Sequence, residues 1–563
     1  MMKNSLKYLK KILLFVVFVL LLYLIVVFVK NGFEKYYEKS LKNYEWVEDH
    51  VEIVKDNYLG NNIYTVEKNK RIDIYNKFYR KAIDENLERL KNEANYSFEE
   101  PLLILNPYGT NKVGLNIYFY TEEDAKVEYT IKVKSTDSIK DYSNTLYNKD
   151  EYTKIHEYQV IGLVAGQINE IEFRLINREG NIKTNKIVVD LLEIETLSQA
   201  KLEATTGESE KSLSNGLYTL LGNDSDENDY VAMYDNNGVL RMEIPIIGYR
   251  SHKILFKEDK MYFSISQTKI VELDRLGKIT NIYKTGKYQL HHDYVFDHEG
   301  NLLVLANDTT KTTEEDCLIK INLETKEITE VIDFQGMFFE YAKKCVLDTV
   351  GQRDEGEDGL DWLHLNSIEF VDGDVYLSSR ETSSIIKVKD IYGEQKLEYI
   401  LSDKYLWEGT RFTKYVYDKK GDFLIHAGQH SLNYVPTSDK KIYYIHFYNN
   451  NYGKANSKPD RDYKKIGVKN TTTPFEGDSS YYYVYKVNEY ERTFEKVNEI
   501  KVEYSGIVSN VQLHENNVII DSGTKGIFAE YDQDGKLIKK FKVKMNKYMV
   551  YRVIKYDFQE FYF

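Results

Sequence analysis

The stretch FDHEGNLLVLAN (296–307) holds the pattern that decides the fold: an apolar run, an acidic turn containing Gly300, and a second apolar run. Such a unit predicts a β-hairpin whose glycine takes the positive φ of the turn. Related units are YDNNGVLRMEI (234–244), LDRLGKITNIY (273–283), FVDGDVYLSSR (370–380), YDKKGDFLIHAG (417–428), LHENNVIIDSG (513–523) and YDQDGKLIKKF (531–541). Hairpins repeated through residues 215–563 predict a β-propeller, and about 50–60 residues per blade gives six blades.

Ahead of the propeller, residues 98–197 alternate between apolar and polar positions with a period of two. The strand-like runs are VGLNIYFYT (113–121), KVEYTIKV (126–133), EIEFRLIN (170–177) and KIVVDLLEI (186–194). Short strands separated by Asn, Gly and Asp turns predict a β-sandwich domain. The polar residues 198–214 are expected to link it to the propeller, and the predicted fold class is therefore all-β.

The N-terminus carries an unbroken apolar run, Ile12–Val29, which is long enough to cross a bilayer as a helix. Four lysines precede it, so residues 1–11 are expected to stay in the cytoplasm. The run lacks a small-residue cleavage pattern, which favours an uncleaved signal anchor over a cleaved signal peptide. Both alternatives export the rest of the chain, and we expect a single-pass protein of the cell membrane with its main body on the extracellular side.

Residues 30–97 are expected to form a helical stalk between membrane and body. Apolar side chains recur at spacings of three and four, as on one helix face. They are Ile72, Tyr75, Tyr79, Ala82, Ile83, Leu87 and Leu90. We expect this face to pack onto the body, and binding of a partner helix is the alternative.

Composition narrows the classes of partner. The 563 residues carry a net charge of −13 and no block of Lys and Arg interleaved with aromatic residues, which argues against nucleic acid. No P-loop or GxGxxG segment is present, so no nucleotide cofactor is expected. Cys317 and Cys345 allow one disulfide in an exported protein or two buried thiols, and the sequence leaves both open. A homo-oligomer is also left open.

Several of the 11 histidines fall at one register of the repeat. His291 and His292 precede the strand and turn YVFDHEGN, His364 precedes IEFVDGD, and His430 precedes LNYV. Radial repetition would bring these histidines to the same end of the central channel. Arg380 closes the hairpin that His364 opens, and is therefore expected to return beside it.

Imidazoles beside a guanidinium suit a tetrahedral oxyanion such as sulfate or phosphate. A three-His metal site is the competing interpretation, but a fixed Arg cation repels a divalent metal. Purely structural histidines would instead leave a non-catalytic propeller that binds a glycan or a protein. A metal-dependent hydrolase or lactonase would need carboxylates around its ion, and the sequence suggests that they do not gather at the histidine register.

The segments DWLHLNSIEF and VYLSSR, the His-His-Asp before a Gly-Asn turn, and the Gly-Gln-His segment resemble the arylsulfate sulfotransferases of bacteria. The resemblance covers about residues 100–563. It implies a β-sandwich followed by a six-bladed propeller, and a PAPS-independent transfer of a sulfuryl group. The donor would be a phenolic sulfate ester and the acceptor a phenol, with a sulfated histidine as the intermediate and no cofactor or metal.

Carried over residue by residue, the resemblance implies that His430 is the nucleophile and that His364, Asn366 and Arg380 hold the sulfuryl oxygens. The His-His-Asp segment would supply a proton-handling histidine. Strand register aligns His291 with His364, whereas counting back from the turn aligns His292 with His430, and both remain open. The chain departs from the family pattern at VPTSDKK (435–441) and HFYNNNYG (446–453), which bears on the acceptor side.

Overall fold

The computed structural model describes residues 2–60, 62–192, 194–223, 230–248, 250–347 and 359–563, with the side chains of the first helix described from Phe15 onward. Helix α1 (Met2–Ser40) includes the apolar run. Among the described residues one helical stretch, Phe15–Ser40, is long and apolar enough to cross a membrane. This agrees with the predicted span, and fits either an anchor or a signal sequence.

Residues 30–97 differ from the expected helical stalk. They contain α2 (Tyr44–Glu48), β1 (Val51–Lys55), β2 (Ile63–Lys68) and α3 (Lys77–Glu93). The apolar side chains of α3 are buried on the body, as expected. Strands β1 and β2 form a hairpin, and β2 joins the following domain by parallel pairing with its first strand. Short alternating runs inside a charged segment are easily overlooked, which explains the difference.

The predicted N-terminal β-sandwich is present. Its strands are β3 (Leu102–Leu105), β4 (Leu115–Val133), β5 (Tyr142–Thr145), β6 (Thr153–Val160), β7 (Ile168–Asn177) and β8 (Ile182–Asp190). The long β4 belongs to both layers, because its first half pairs with β3 and β6 and its second half with β5 and β7. Side chains from both halves, including Phe119 and Tyr129, share one core.

The predicted six-bladed propeller is also present. The polar linker contributes β9 (Glu203–Thr206), and the first blade contains β10 (Leu217–Leu220), β11 (Tyr230–Tyr234) and β12 (Leu240–Pro245). The second blade consists of β13 (Ile254–Lys257), β14 (Lys260–Ser266), β15 (Lys269–Asp274) and β16 (Ile279–Lys284). The third consists of β17 (Tyr288–Phe296), β18 (Leu302–Asp308), β19 (Cys317–Ile321) and β20 (Ile328–Asp333).

Two short helices, α4 (Phe334–Met337) and α5 (Phe339–Ala342), precede the fourth blade. That blade consists of β21 (Leu365–Val371), β22 (Asp374–Ser379), β23 (Ser384–Lys389) and β24 (Lys396–Leu401). The fifth consists of β25 (Asp418–Lys420), β26 (His430–Val435), β27 (Ile442–Asn449), β28 (Ser480–Asn488) and β29 (Thr493–Val502). The sixth consists of β30 (Asn510–His514), β31 (Asn517–Ser522), β32 (Ile527–Tyr531) and β33 (Leu537–Lys542), followed by β34 (Val553–Tyr556).

The chain closes the ring at both of its ends. Strand β34 pairs with β10 and so completes the first blade from the C-terminal side. Strand β9 pairs with β33 and so extends the sixth blade from the N-terminal side. Part of the predicted linker is therefore a strand, because its Leu-Glu-Ala-Thr-Thr run lies along an available blade edge. Cys317 is buried, Cys345 is partly buried, and both are free thiols.

A buried ion pair stabilises the contact between the first and the sixth blade. Lys555 on β34 and Glu530 on β32 are both fully buried, with Nζ and Oε2 2.9 Å apart. Tyr218 donates a hydrogen bond to the same carboxylate, and Ser214 donates two more. The pair joins the first blade to the sixth, and every group in it has a partner that replaces water.

We predict that Lys555→Met lowers the free energy of unfolding by about 3–5 kcal/mol, because it leaves the buried Glu530 carboxylate without its cation. Denaturant unfolding of the full chain in detergent measures this. Lys540→Met is the matched control: the Lys540–Glu503 pair is about one-third exposed, so its loss should cost less than about 1 kcal/mol. Equal losses in the two variants would contradict the prediction.

Candidate functional site

Six inner strands, one from each blade, surround a central cavity of about 320 Å³. One residue of equivalent register, in each strand or immediately before it, lines the cavity: Lys253, Asp293, Ser367, Ser431, Asn510 and Arg552. The residues immediately before these six therefore form a ring at one end of the cavity. They are His252, His292, Asn366, His430, Ser509 and Tyr551. The histidines of the third and fifth blades thus share one register with Asn366 of the fourth.

The backbone is strained at several residues in or next to these inner strands. His292, His364 and Ser431 have φ values of 55°, 49° and 55°, in the left-handed region that residues other than glycine seldom adopt. The strand pairing slips at the same places, between Leu290 and Tyr294, between Leu365 and Ser367, and between His430 and Asn433. Such bulges re-aim side chains, and strain of this kind clusters at functional sites.

His292 and His364 are in direct contact. Their Nε2 atoms are 3.1 Å apart, and the ring of His292 lies 6.1 Å from that of His430. Nδ1 of His292 is 3.0 Å from the Tyr551 hydroxyl, which also lies 3.2 Å from the carbonyl oxygen of His292. Burial, followed by the neighbouring His364, holds the pKa of His292 well below its usual range. His292 is therefore neutral at physiological pH.

His364 has the opposite electrostatic character. Its Nδ1 is 2.7 Å from Oδ2 of Asp361 and 2.5 Å from Oε2 of Glu315. Burial and the nearby Arg380 disfavour its charged form, but the two carboxylates outweigh them and raise the pKa of His364 to about 9. Asp361 also accepts a hydrogen bond from Arg380 at 3.2 Å. The site therefore holds two neighbouring cations, an imidazolium and a guanidinium.

His430 is held in one tautomer. Its Nδ1 lies 2.8 Å from Oδ1 of Asn450 and 3.0 Å from the carbonyl oxygen of Gly428. The Asn450 amide cannot be reversed, because its Nδ2 donates to the carbonyl oxygens of Ser505 and Val508. Both neighbours of Nδ1 are thus acceptors, so Nδ1 carries the proton and Nε2 keeps a lone pair. Burial lowers the pKa of His430 to about 3, and the ring is neutral.

Arg380 lies beside His364, as its place in the hairpin predicts, and Asn366 lies against the residue that precedes His430. The backbone N–H of Arg380 donates to the carbonyl oxygen of His364 at 3.0 Å, so the arginine does return beside that histidine. Its guanidinium also donates to Glu381. The Asn366 amide donates to the carbonyl oxygen of Gln429, immediately before His430, at 2.8 Å.

The ring of His291 contacts the ring of His292 edge to face, with 5.4 Å between the ring centroids. It is buried, and burial lowers its pKa. Among the described residues neither of its ring nitrogens has a hydrogen-bond partner. Of the two alignments left open by the sequence, the structure follows the one counted back from the turn, because His292 shares the register of His430. Trp362 is a core residue bonded to Asp316, packed against Phe338 and Tyr341.

Two overlapping groups of side chains bring histidine nitrogens and carboxylate oxygens close together. They are His291, His292 and Glu315, and Glu315, Asp361 and His364, with the ligand atoms of each group within 4.8 Å of one another. The expectation that carboxylates do not gather at the histidine register is therefore wrong. They come from a loop of the third blade and from the approach to β21, which the hairpin repeat does not align. His364 and Arg380 already balance the charge of Glu315 and Asp361.

The positioning groups around the histidines were mostly missed from the sequence. Asp361 stands three residues before His364 in a segment that was singled out, and its spacing was the available signal. Tyr551 could have been found by extending the register to the first blade. Glu315 and Asn450 lie in connections outside the repeat, so no periodic signal marked them.

Two protein-family models match the chain. Residues 203–560 match the family model described as arylsulfotransferase (ASST), and residues 102–191 match the arylsulfotransferase Ig-like domain. The chain therefore belongs to the arylsulfotransferase family. Membership supports arylsulfotransferase activity in general and implies phenolic substrates. No curated protein matches the chain.

Several solved structures resemble the chain distantly. A candidate 6-phosphogluconolactonase from Bacteroides fragilis has 10% identity and a TM-score of 0.34, covering 78% of this chain and 99% of its own. The computationally designed Ika8 protein has 10% identity and a TM-score of 0.31, covering 64% and 92%. The C-terminal WD40 domain of Sif2 has 8% identity and a TM-score of 0.28, covering 62% and 74%.

We predict that ¹⁵N NMR of histidine-labelled full-length protein at neutral pH will show His430 as the neutral Nδ1–H tautomer. Replacing Asn450 by Leu should introduce the Nε2–H tautomer, because one of the two acceptors at Nδ1 is lost. Asn451→Gly is the control, since Asn451 has a φ of 55° that glycine tolerates and its amide donates to Ser479 rather than to the ring. An Nε2–H tautomer in the unmodified protein would contradict the assignment.

Proposed function

We propose that the protein is an arylsulfate sulfotransferase that moves a sulfuryl group from a phenolic sulfate ester to a phenol through a sulfated His430, without PAPS. One observation carries this proposal: Nδ1 of His430 is committed to Asn450 and to the Gly428 carbonyl oxygen, so the lone pair of the ring lies on Nε2. A neutral imidazole facing a cationic pair is the arrangement that attack on an anionic sulfate ester requires.

In the first half-reaction, Nε2 of His430 forms a bond to sulfur while the bond from sulfur to the phenolic oxygen breaks. The electron pair of that bond leaves with the phenolate. Splitting one displacement into two steps through a covalent intermediate makes each step easier. Arg380 and Asn366 would donate to the sulfuryl oxygens, and fixed donors of this kind are worth about 3–4 kcal/mol each. His364, whose two N–H groups are engaged by carboxylates and by His292, would stabilise the same oxygens through its positive charge.

The departing phenolate needs a proton. Neutral His292 cannot supply one unaided, but its Nε2 lies 3.1 Å from Nε2 of His364, which is an imidazolium. We therefore assign His292 as the residue that accepts a proton from His364 at Nε2 and releases its Nδ1 proton to the phenolate through the Tyr551 hydroxyl, which lies 3.0 Å from Nδ1. In the second half-reaction an acceptor phenol returns its proton by the same route. Its oxygen then takes the sulfuryl group, and the sulfur–nitrogen bond to His430 breaks.

The location of this activity is part of the proposal. The apolar helix at the N-terminus would anchor the chain in the cell membrane, with the lysines before it on the cytoplasmic side. The sandwich and propeller would then face the outside. Phenols and their sulfate esters would be met there, where a route that needs no nucleotide donor is an advantage.

We predict that incubation with 4-nitrophenyl sulfate alone adds the mass of one sulfuryl group to the full-length protein, and that peptide mapping places it on His430. His430→Asn should abolish this modification because the nucleophilic nitrogen is lost. His446→Asn, which changes another histidine of the fifth blade that bonds to Tyr482, should leave it unchanged. Modification of the His430→Asn variant, or a modified residue elsewhere, would reject the assignment.

The pH dependence follows from the two histidine pKa values. His430 has a pKa of about 3 and is ready to attack throughout the neutral range. The charge of His364 is present below its pKa of about 9 and is lost as the pH rises through it. Single-turnover release of 4-nitrophenol should therefore stay level through neutral pH and fall about tenfold per unit above pH 9. A fall already centred near the ordinary histidine pKa would contradict this.

A further inference from the structure

The loop between β18 and β19 carries three consecutive acidic residues that all bind the segment leading into β21. Glu314 accepts a hydrogen bond from the backbone N–H of Gly359 at 2.7 Å, and Asp316 accepts one from the indole of Trp362 at 2.7 Å. Glu315, between them, lies 2.5 Å from Nδ1 of His364. The third blade thus holds a carboxylate against a histidine that belongs to the fourth.

Glu315 is held in place by its backbone. Its carbonyl oxygen accepts a hydrogen bond from the N–H of Leu365 at 3.1 Å, and its φ is 54°, in the left-handed region. Strain of this kind persists only where surrounding contacts enforce it. The neighbouring contacts of Glu314 and Asp316 do so, and they leave the Glu315 side chain directed at the imidazole.

The hydrogen-bond pattern around His364 determines its protons. Nδ1 faces two carboxylates, which accept hydrogen bonds when ionised. Nε2 faces Nε2 of His292, and this nitrogen is the acceptor when the Tyr551 hydroxyl donates to the His292 carbonyl and leaves Nδ1 as the donor. Both nitrogens of His364 then carry a proton.

Asp361 cannot balance that charge alone. Its Oδ2 also accepts a hydrogen bond from Arg380 at 3.2 Å, so its charge is shared between His364 and a guanidinium that Glu381 contacts as well. The other groups around His364 are the neutral rings of His291 and His292 from the third blade and His430 from the fifth, with Glu381 on the far side of Arg380. Glu315 is the one further carboxylate that reaches the imidazole among the described residues.

We propose that Glu315 is a positioning residue that, with Asp361, holds His364 as an imidazolium and so keeps a positive charge and a transferable proton beside His430. The catalytic purpose of this charge rests on the proposed sulfuryl transfer. The effect of Glu315 on the charge of His364 does not depend on that reaction. The two carboxylates act only through His364. Removing the charge of one of them should lower the pKa of His364 by about one unit or more, because an opposite charge within hydrogen-bond distance stabilises the protonated ring.

The test compares Glu315→Gln with Glu314→Gln in full-length, histidine-labelled protein. Glutamine keeps the size and the acceptor oxygen in both variants and removes only the charge. The neighbouring Glu314 contacts the same segment without touching His364. The ¹⁵N signals of His364, assigned by their absence in His364→Gln, report the imidazolium directly, and single-turnover release of 4-nitrophenol reports the alkaline limb.

We expect the imidazolium signal of Glu315→Gln to disappear at least about one pH unit lower than in the unmodified protein, with the alkaline limb moving by the same amount. Glu314→Gln should leave both where they were. A neutral His364 in the unmodified protein at pH 7, or a titration that Glu315→Gln does not move, would overturn the proposal. If the signal moves as expected but no variant transfers sulfuryl groups, the proposed function fails and the role of Glu315 in charging His364 stands.

Discussion

The site exists only because the sheet ring is closed. The residues that meet around the cavity come from six inner strands, and no two of the three central histidines lie on the same blade. Pairing of β34 with β10 supplies the last of these strands and with it Tyr551 and Arg552, which contact His292 and Asn366. The closing Lys555–Glu530 pair is therefore connected to the chemistry, because the position of Tyr551 depends on the same strand.

Within that ring, burial lowers the pKa of every imidazole. The hydrogen-bonding and charged neighbours of each histidine then determine whether its pKa stays low. Desolvation favours the neutral form, so His430 and His292 lose their charge with amide, carbonyl and hydroxyl neighbours. His364 keeps its charge because two carboxylates share its Nδ1. Three neighbouring histidines thus divide into two neutral rings and one imidazolium, and environments that separate pKa values in this way can also separate the roles of acid and base.

The fold was predictable because it is periodic. Hairpin units such as FDHEGNLLVLAN repeat a local rule, and radial repetition turns register into position, so the histidines at 291–292, 364 and 430 could be grouped from the sequence. The register itself was only partly right, because Asn366 and not His364 is in register with His292 and His430, and Asn366 had entered only through the family resemblance. Glu315 and Asn450 could not be grouped in this way, because each reaches the site from a connection whose course depends on tertiary packing. The strands β1, β2 and β9 were missed for a related reason: they are short, and only a neighbouring blade or sheet edge makes them strands.

The loops between the strands are relevant to one further question, which is why a sulfated histidine would react with a phenol rather than with water. His292, His364 and His430 are each less than one-tenth exposed. The connection between β27 and β28 is tied to the site, since Ser457 donates two hydrogen bonds to Glu381, whose other oxygen accepts one from Arg380. Ser457 also accepts a hydrogen bond from the N–H of Val346, beyond α5. Two connections therefore meet beside the guanidinium that would hold the sulfuryl oxygens, and packing there would restrict water without touching the nucleophile. Since the histidines alone would serve water as well as a phenol, selectivity for the acceptor would then depend on these connections, where the sequence departs from the repeat.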